Sequence, residues 1–299
     1  MKRIGLTILF LFFCITAAAL SQGSHVSMDR PEVASREFKI LLKPEVFSDR
    51  IAGYQDIWAN IVAAANEMGA AATEADDPYR EEEGEVMYLD TPANELYKQN
   101  YILRKRVEYK KGKPAAHCEL MLKYRNNDLQ LAAAANVNPS SQYAAKEKME
   151  QDINMDGKQI GSLKSTYSHS STIKHIQVPV ENSIAAYAVV FPGLKDLQAG
   201  PQAMLLPVNN RIAHECIVSP GSLEFQQGLP VKIDISLWYA PGGQVPQIAE
   251  ISFHYSVKQA SNETLAASES FFKELQKRLE NKIEPGMTKT DFVYAGTRQ

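Results

Sequence analysis

One stretch, YLDTPANELYKQNYILRKR from Tyr88 to Arg106, constrains the fold more than any other. A strand-like run breaks at Asp-Thr-Pro, makes a short polar turn, and returns with charged residues set between apolar ones. Side chains on a strand alternate between its two faces. Arg104, Arg106, Glu108 and Lys110 therefore share one face, and Leu103, Val107 and Tyr109 the other. A face of that kind is either solvated or lines a charged interior.

The rest of the chain reads as many strands with a few helices. REFKILLKP is a first strand, and YQDIWANIVAAANEMG a helix with Ile57, Ile61, Val62 and Met68 at helical spacing and Gly69 as its stop. TEADDPYREEEGE reads as a solvated acidic loop. EVMYLDTP, YILRKRVEYK and HCELMLKYR are strands, the last two joined through the hairpin signal KGKP. AKEKMEQDI fits strand or helix equally, and the Gly-, Ser- and Thr-rich residues 156–171 read as loop or hairpin. SIAAYAVVF is a helix; RIAHECIVS, VKIDISLWYAP and QIAEISFHYSVK are strands. ASESFFKELQKRLENKI is an amphipathic helix begun by Ser268, and KTDFVY follows it. The class is α+β.

At the N-terminus, Lys2 and Arg3 precede an apolar run from Ile4 to Leu20, with small residues at Ala17, Ala18 and Ala19. This reads as a secretory signal over residues 1–21 and a polar leader over 22–35, with a retained anchor as the alternative. The expected location is secreted or periplasmic, with membrane contact only if the signal segment is kept. Thirty-two basic residues less Lys2 and Arg3 leave thirty against thirty-five acidic, a mature net charge of about −5. That balance excludes general nucleic-acid binding. Cys118 and Cys216 remain after cleavage, either as one disulfide or as two buried thiols.

Tyr88, Asp90, Thr91, Pro92, Leu103, Arg104 and Arg106 resemble the signature of the CYTH domain, the fold of the triphosphate tunnel metalloenzymes. ELMLKYR resembles that family's Leu-x-Leu-Lys strand, with Lys123 at the lysine, and KMEQD its Arg-x-Glu-x-Glu strand, with Lys148, Glu150 and Asp152 in place. Asp234 stands at its late aspartate and Glu250 at the first position of its Glu-x-Glu strand. The resemblance spans residues 36–299 as one domain. It implies an antiparallel closed β-barrel, the triphosphate tunnel, with flanking helices, and it settles AKEKMEQDI as a strand. It also implies that Lys39, Arg104, Arg106, Lys123 and Lys148 bind substrate. Glu37, Asp234 and Glu250, with Glu150 and Asp152 as weaker members, would hold magnesium or manganese.

The chemistry behind such a tunnel is direct. A triphosphate concentrates charge that converging Lys and Arg groups neutralise. Its hydrolysis needs a divalent cation on hard carboxylate oxygens. Here Lys39 stands at the family's second opening glutamate and Ser252 at its second late glutamate, so metal binding is expected to be weak. The expected function is an exported protein that binds tri- or polyphosphate, or another small polyanion, with hydrolysis doubtful. A metal-dependent triphosphatase, and a non-catalytic structural or interaction protein on the same scaffold, are the alternatives.

Overall fold

The computed structural model describes residues 32–295, so the signal-like segment and most of the polar leader lie outside the described residues. In chain order the elements are β1 (Ser35–Leu42), α1 (Arg50–Glu67), β2 (Ala71–Glu74), β3 (Glu82–Asp90), α2 (Glu95–Lys98) and β4 (Tyr101–Lys110). There follow β5 (Lys113–Pro114), β6 (Cys118–Asn126), α3 (Leu129–Ala134), β7 (Lys146–Asn154), β8 (Lys164–Ile176) and α4 (Ile184–Val190). The remainder is β9 (Leu206–Pro207), β10 (Ala213–Glu224), β11 (Pro230–Tyr239), β12 (Pro246–Ser256), α5 (Asn262–Arg278) and α6 (Lys289–Tyr294).

The strands run β1-β7-β8-β6-β4-β3-β10-β11-β12 and return to β1, which closes a barrel. β2, β5 and β9 pair outside that ring. This is the α+β closed barrel with flanking helices that the resemblance implies. The seam between β1 and β7 is parallel, and the other seams of the ring are antiparallel. A parallel pair needs a long crossover, which the chain between β1 and β7 supplies. Across that seam Glu37 lies directly opposite Asp152.

Alternation divides the two faces of the wall. On β1, Phe38, Ile40 and Leu42 turn outward into an apolar layer, while Glu37, Lys39 and Leu41 turn inward. The outer layer is built by α1 and α5. Asp49 caps α1 by accepting the Ala52 N–H at 3.0 Å, and Gly69 ends it at φ +71°. Phe271, Phe272 and Leu275 of α5 are fully buried there, and Phe38 stacks on Phe253 at 4.6 Å. Each such side chain contributes about 1.5–3 kcal/mol through burial. At the bulge in β10 a Cβ on Gly221 would meet Thr73 O at 2.2 Å and Trp58 at 2.7 Å, so glycine lets α1 approach this wall closely.

On the opposite wall Leu103, Leu120, Leu122 and Ile173 bury against Tyr187 and Phe191. A third apolar cluster lies inside one end of the barrel. Leu41, Val86, Tyr88, Ile102 and Trp238 meet Val293 and Tyr294 of α6, which plugs that end.

Three sequence expectations change. The acidic segment is not all loop, because β10 pairs with both β2 and the start of β3 and so turns Glu82–Glu85 into wall. Residues 164–176 form a long strand despite their serines, because β6 and β7 pair with it from both sides. Such tertiary pairing overrides weak strand propensity. Helix α5 starts at Asn262, where Ser261 accepts the Thr264 N–H; Ser268 lies within it, buried, with its hydroxyl 2.7 Å from Tyr255. Cys118 and Cys216 are buried free thiols.

Candidate functional site: the charged barrel interior

The Asp-Thr-Pro break does structural work. Asp90 is 1% exposed and accepts the N–H groups of Thr91 at 2.7 Å, Leu96 at 3.0 Å and Tyr97 at 3.0 Å. The Tyr294 hydroxyl donates to its second oxygen at 3.1 Å. One carboxylate thus ties the end of β3 to the start of α2 and to the plug helix α6. Burial pushes the Asp90 carboxyl up from its ordinary pKa, and the donated hydrogen bonds work against that shift.

Above this clasp the barrel interior is charged, and its charges are matched. Arg104 donates to Glu119 at 3.0 Å, and Arg106 lies 3.1 Å from Glu215. Lys123 and Lys148 reach Glu150 at 3.3 and 2.5 Å. Lys39 bridges Glu37 at 2.7 Å and Asp152 at 2.6 Å, and Arg125 lies 3.5 Å from the other oxygen of Asp152. Lys289, carried in by α6, reaches Glu250 at 3.1 Å, Glu215 at 4.0 Å and the Ser236 hydroxyl. Trp238 also donates to Glu215, at 2.8 Å.

The match in charge leaves hydrogen bonds unmade. Among the described residues the buried Nε atoms of Arg104, Arg106 and Arg125 and Asp152 Oδ2 make no hydrogen bond, even where Arg106 Nε and Arg125 Nε lie 3.1 and 3.5 Å from Glu215 and Asp152 oxygens. An unmade bond at a buried polar atom costs about 1–3 kcal/mol. These three donors belong to adjacent strands, β4 and β6.

The paired carboxylates are strongly acidic. Burial alone would raise Glu150, but Lys123 and Lys148 outweigh both that and its repulsion from Asp152, and they hold it at about 2. Asp152 is held well below its ordinary value, with Lys39, Lys123 and Arg125 overcoming burial. Burial would likewise lower the Lys39 ammonium, but Asp152 and Glu37 raise it instead. Folded-state values below unfolded ones mean that this stabilisation is present above the unfolded carboxylate range and lost as pH falls. The barrel should therefore lose stability from about pH 4.5 down towards 2. Lys123→Met should move the acid midpoint, followed by circular dichroism, to higher pH. An unmoved midpoint would show that this pair contributes nothing.

The residues read from the sequence come together only in part. Lys39, Arg104, Arg106, Lys123 and Lys148 all sit on the inner wall, each against a carboxylate. The carboxylates do not share a centre. Glu37 and Asp152 meet at Lys39, Glu150 at Lys123, and Glu250 at Lys289. Asp234 stands apart with Ser219 at 2.6 Å and Lys232 at 3.1 Å. Among the described residues no group of three or more acidic, histidine or cysteine side chains is placed to hold a metal ion. Ammonium groups sit on the oxygens that magnesium or manganese would need, so the residues as they stand do not fit a divalent cation.

Sequence reading missed Glu119, Arg125, Glu215 and Lys289. The first two had a signal, since Glu119, Met121, Lys123 and Arg125 alternate on one strand face. Glu215 lies on a strand read as apolar, and Lys289 on a six-residue helix whose Thr288-x-x-Asp291 capping box marks its start but not its direction.

No family model matches the chain, and no curated protein matches it significantly. Solved structures are similar at low identity. A candidate adenylyl cyclase from Hippeastrum, described as having a dominant triphosphatase activity, is 12% identical over 88% of this chain and 96% of its own, with a TM-score of 0.44. A candidate adenylate cyclase from Bacillus halodurans is 12% identical over 88% of this chain and 100% of its own, with a TM-score of 0.40. A protein of Pyrococcus horikoshii is 16% identical over 87% and 97%, with a TM-score of 0.35. At these identities and scores the likenesses assign no residue a role.

Proposed function

We propose that this chain is an exported protein that binds a compact polyanion, of the tri- or polyphosphate class, in its charged barrel, and that it binds rather than hydrolyses it. One observation carries the reading: Arg104, Arg106 and Arg125 each hold a buried Nε–H that makes no hydrogen bond, although carboxylate oxygens of Glu215 and Asp152 lie 3.1 and 3.5 Å from the Nε atoms of Arg106 and Arg125. Phosphate oxygens are strong acceptors that match guanidinium geometry. An anion reaching these donors would satisfy them and take over Lys and Arg groups from Glu119, Glu215 and Glu150. Binding is then an exchange of carboxylate for phosphate partners, which keeps the cations paired with or without ligand. Export rests on the signal-like residues 1–21.

Isothermal calorimetry of the purified protein with sodium tripolyphosphate in chelator tests the reading. Saturable binding that weakens steeply with added salt is the expected result. Absence of binding at millimolar tripolyphosphate would favour the purely structural alternative. Phosphate release that depends on added magnesium would instead favour the triphosphatase.

A further inference from the structure

The mismatch between the barrel's carboxylates and a divalent ion has a specific cause at one residue. Glu37 and Asp152 face each other across the parallel seam, and the Lys39 ammonium sits between them at 2.7 and 2.6 Å. Asp152 is 2% exposed, and its Oδ2 makes no hydrogen bond, with Arg125 Nε 3.5 Å away. Two facing carboxylates with one buried oxygen that makes no hydrogen bond are enough for a magnesium-like ion, since it takes few protein ligands. What opposes it is the positive charge already in place, chiefly the Lys39 ammonium that contacts both carboxylates, with Arg125 on Asp152.

We propose that Glu37 and Asp152 form a latent divalent-cation site which the Lys39 ammonium fills in the native protein. Lys39 is then a positioning residue, a covalently attached cation that fixes the β1–β7 seam without metal. With Lys39 and Arg125 against Glu37 and Asp152, the local charge is balanced. Removing the ammonium leaves one negative charge unmatched, and a divalent ion would restore the attraction. The inference goes beyond the anion-binding reading and does not depend on it.

The test needs no anion. Manganese binding is followed by electron paramagnetic resonance and by thermal melting, on the unmodified protein, Lys39→Met and Lys39→Gln. The unmodified protein should bind no manganese at micromolar concentration, and its melting temperature should not respond to it. Lys39→Met should melt on the order of ten degrees lower in chelator, because two buried carboxylates lose their shared partner. Millimolar manganese should recover most of that drop and give a bound-ion signal. Lys39→Gln is one atom shorter but keeps an N–H donor for the carboxylates, and it should show the same rescue if Lys39→Met does not fold in chelator. Manganese binding by the unmodified protein overturns the proposal, as does a lack of manganese response in both variants. If tripolyphosphate fails to bind while the manganese rescue appears, the anion reading fails and the latent site stands.

Discussion

Arg106→Ala is expected to weaken tripolyphosphate binding on the order of a hundredfold while the barrel stays folded. The effect is large because the guanidinium is part-buried in a closed barrel, where water screens little. Arg106 faces Val86 on one neighbouring strand and Glu119 on the other, which fixes its direction inward. The fold should survive because Glu215, its partner, keeps the Trp238 N–H at 2.8 Å and Lys289 at 4.0 Å. Lys105→Ala is the control. It removes the same charge from the opposite face of β4 and should change affinity by less than about threefold, as a screened surface charge does. Calorimetry on both variants, with circular dichroism for the fold, decides the matter. Unchanged affinity in folded Arg106→Ala would remove the tunnel from the binding site altogether.

Asp90→Ala should cost about 3–5 kcal/mol of stability. Its carboxylate accepts from three backbone N–H groups and the Tyr294 hydroxyl, all in a region with almost no solvent. Deleting it strands those donors and frees both the start of α2 and the plug helix. Tyr294→Phe removes one donor and keeps the ring stacked on Tyr97, so its loss should be nearer about 1 kcal/mol. Urea unfolding of the three proteins gives the comparison. A loss below about 1 kcal/mol for Asp90→Ala would mean that the clasp is redundant with packing.

These two residues lie in one sequence stretch, yet they were legible to different degrees. Alternation along YILRKR put Arg104 and Arg106 on one face, and the barrel turns that face inward. The same stretch gave no hint that Asp90 serves α2 and α6, because Tyr294 lies 204 residues away. A local pattern records which side chains share a surface. It does not record which distant element will press against that surface.

What the amino-acid order determined by itself is therefore periodic: the strand faces, the apolar stripes of α1 and α5, and the grouping of Arg104 with Arg106 on one face, which only the resemblance turned inward. These follow from repeats of two and of about 3.6 residues, which any chain segment carries within itself. Only the tertiary structure decided how the charges pair. Lys39 neutralises Glu37 and Asp152, while Glu250 is taken by Lys289 from a helix whose capping box gives no hint of where it docks. Closure of the ring brings β1 beside β7 and inserts α6 into one end, so partners more than a hundred residues apart meet at about 3 Å. Coulomb attraction selects among neighbours only after closure has made them neighbours, and that is why the carboxylates legible as metal ligands are found holding ammonium groups instead.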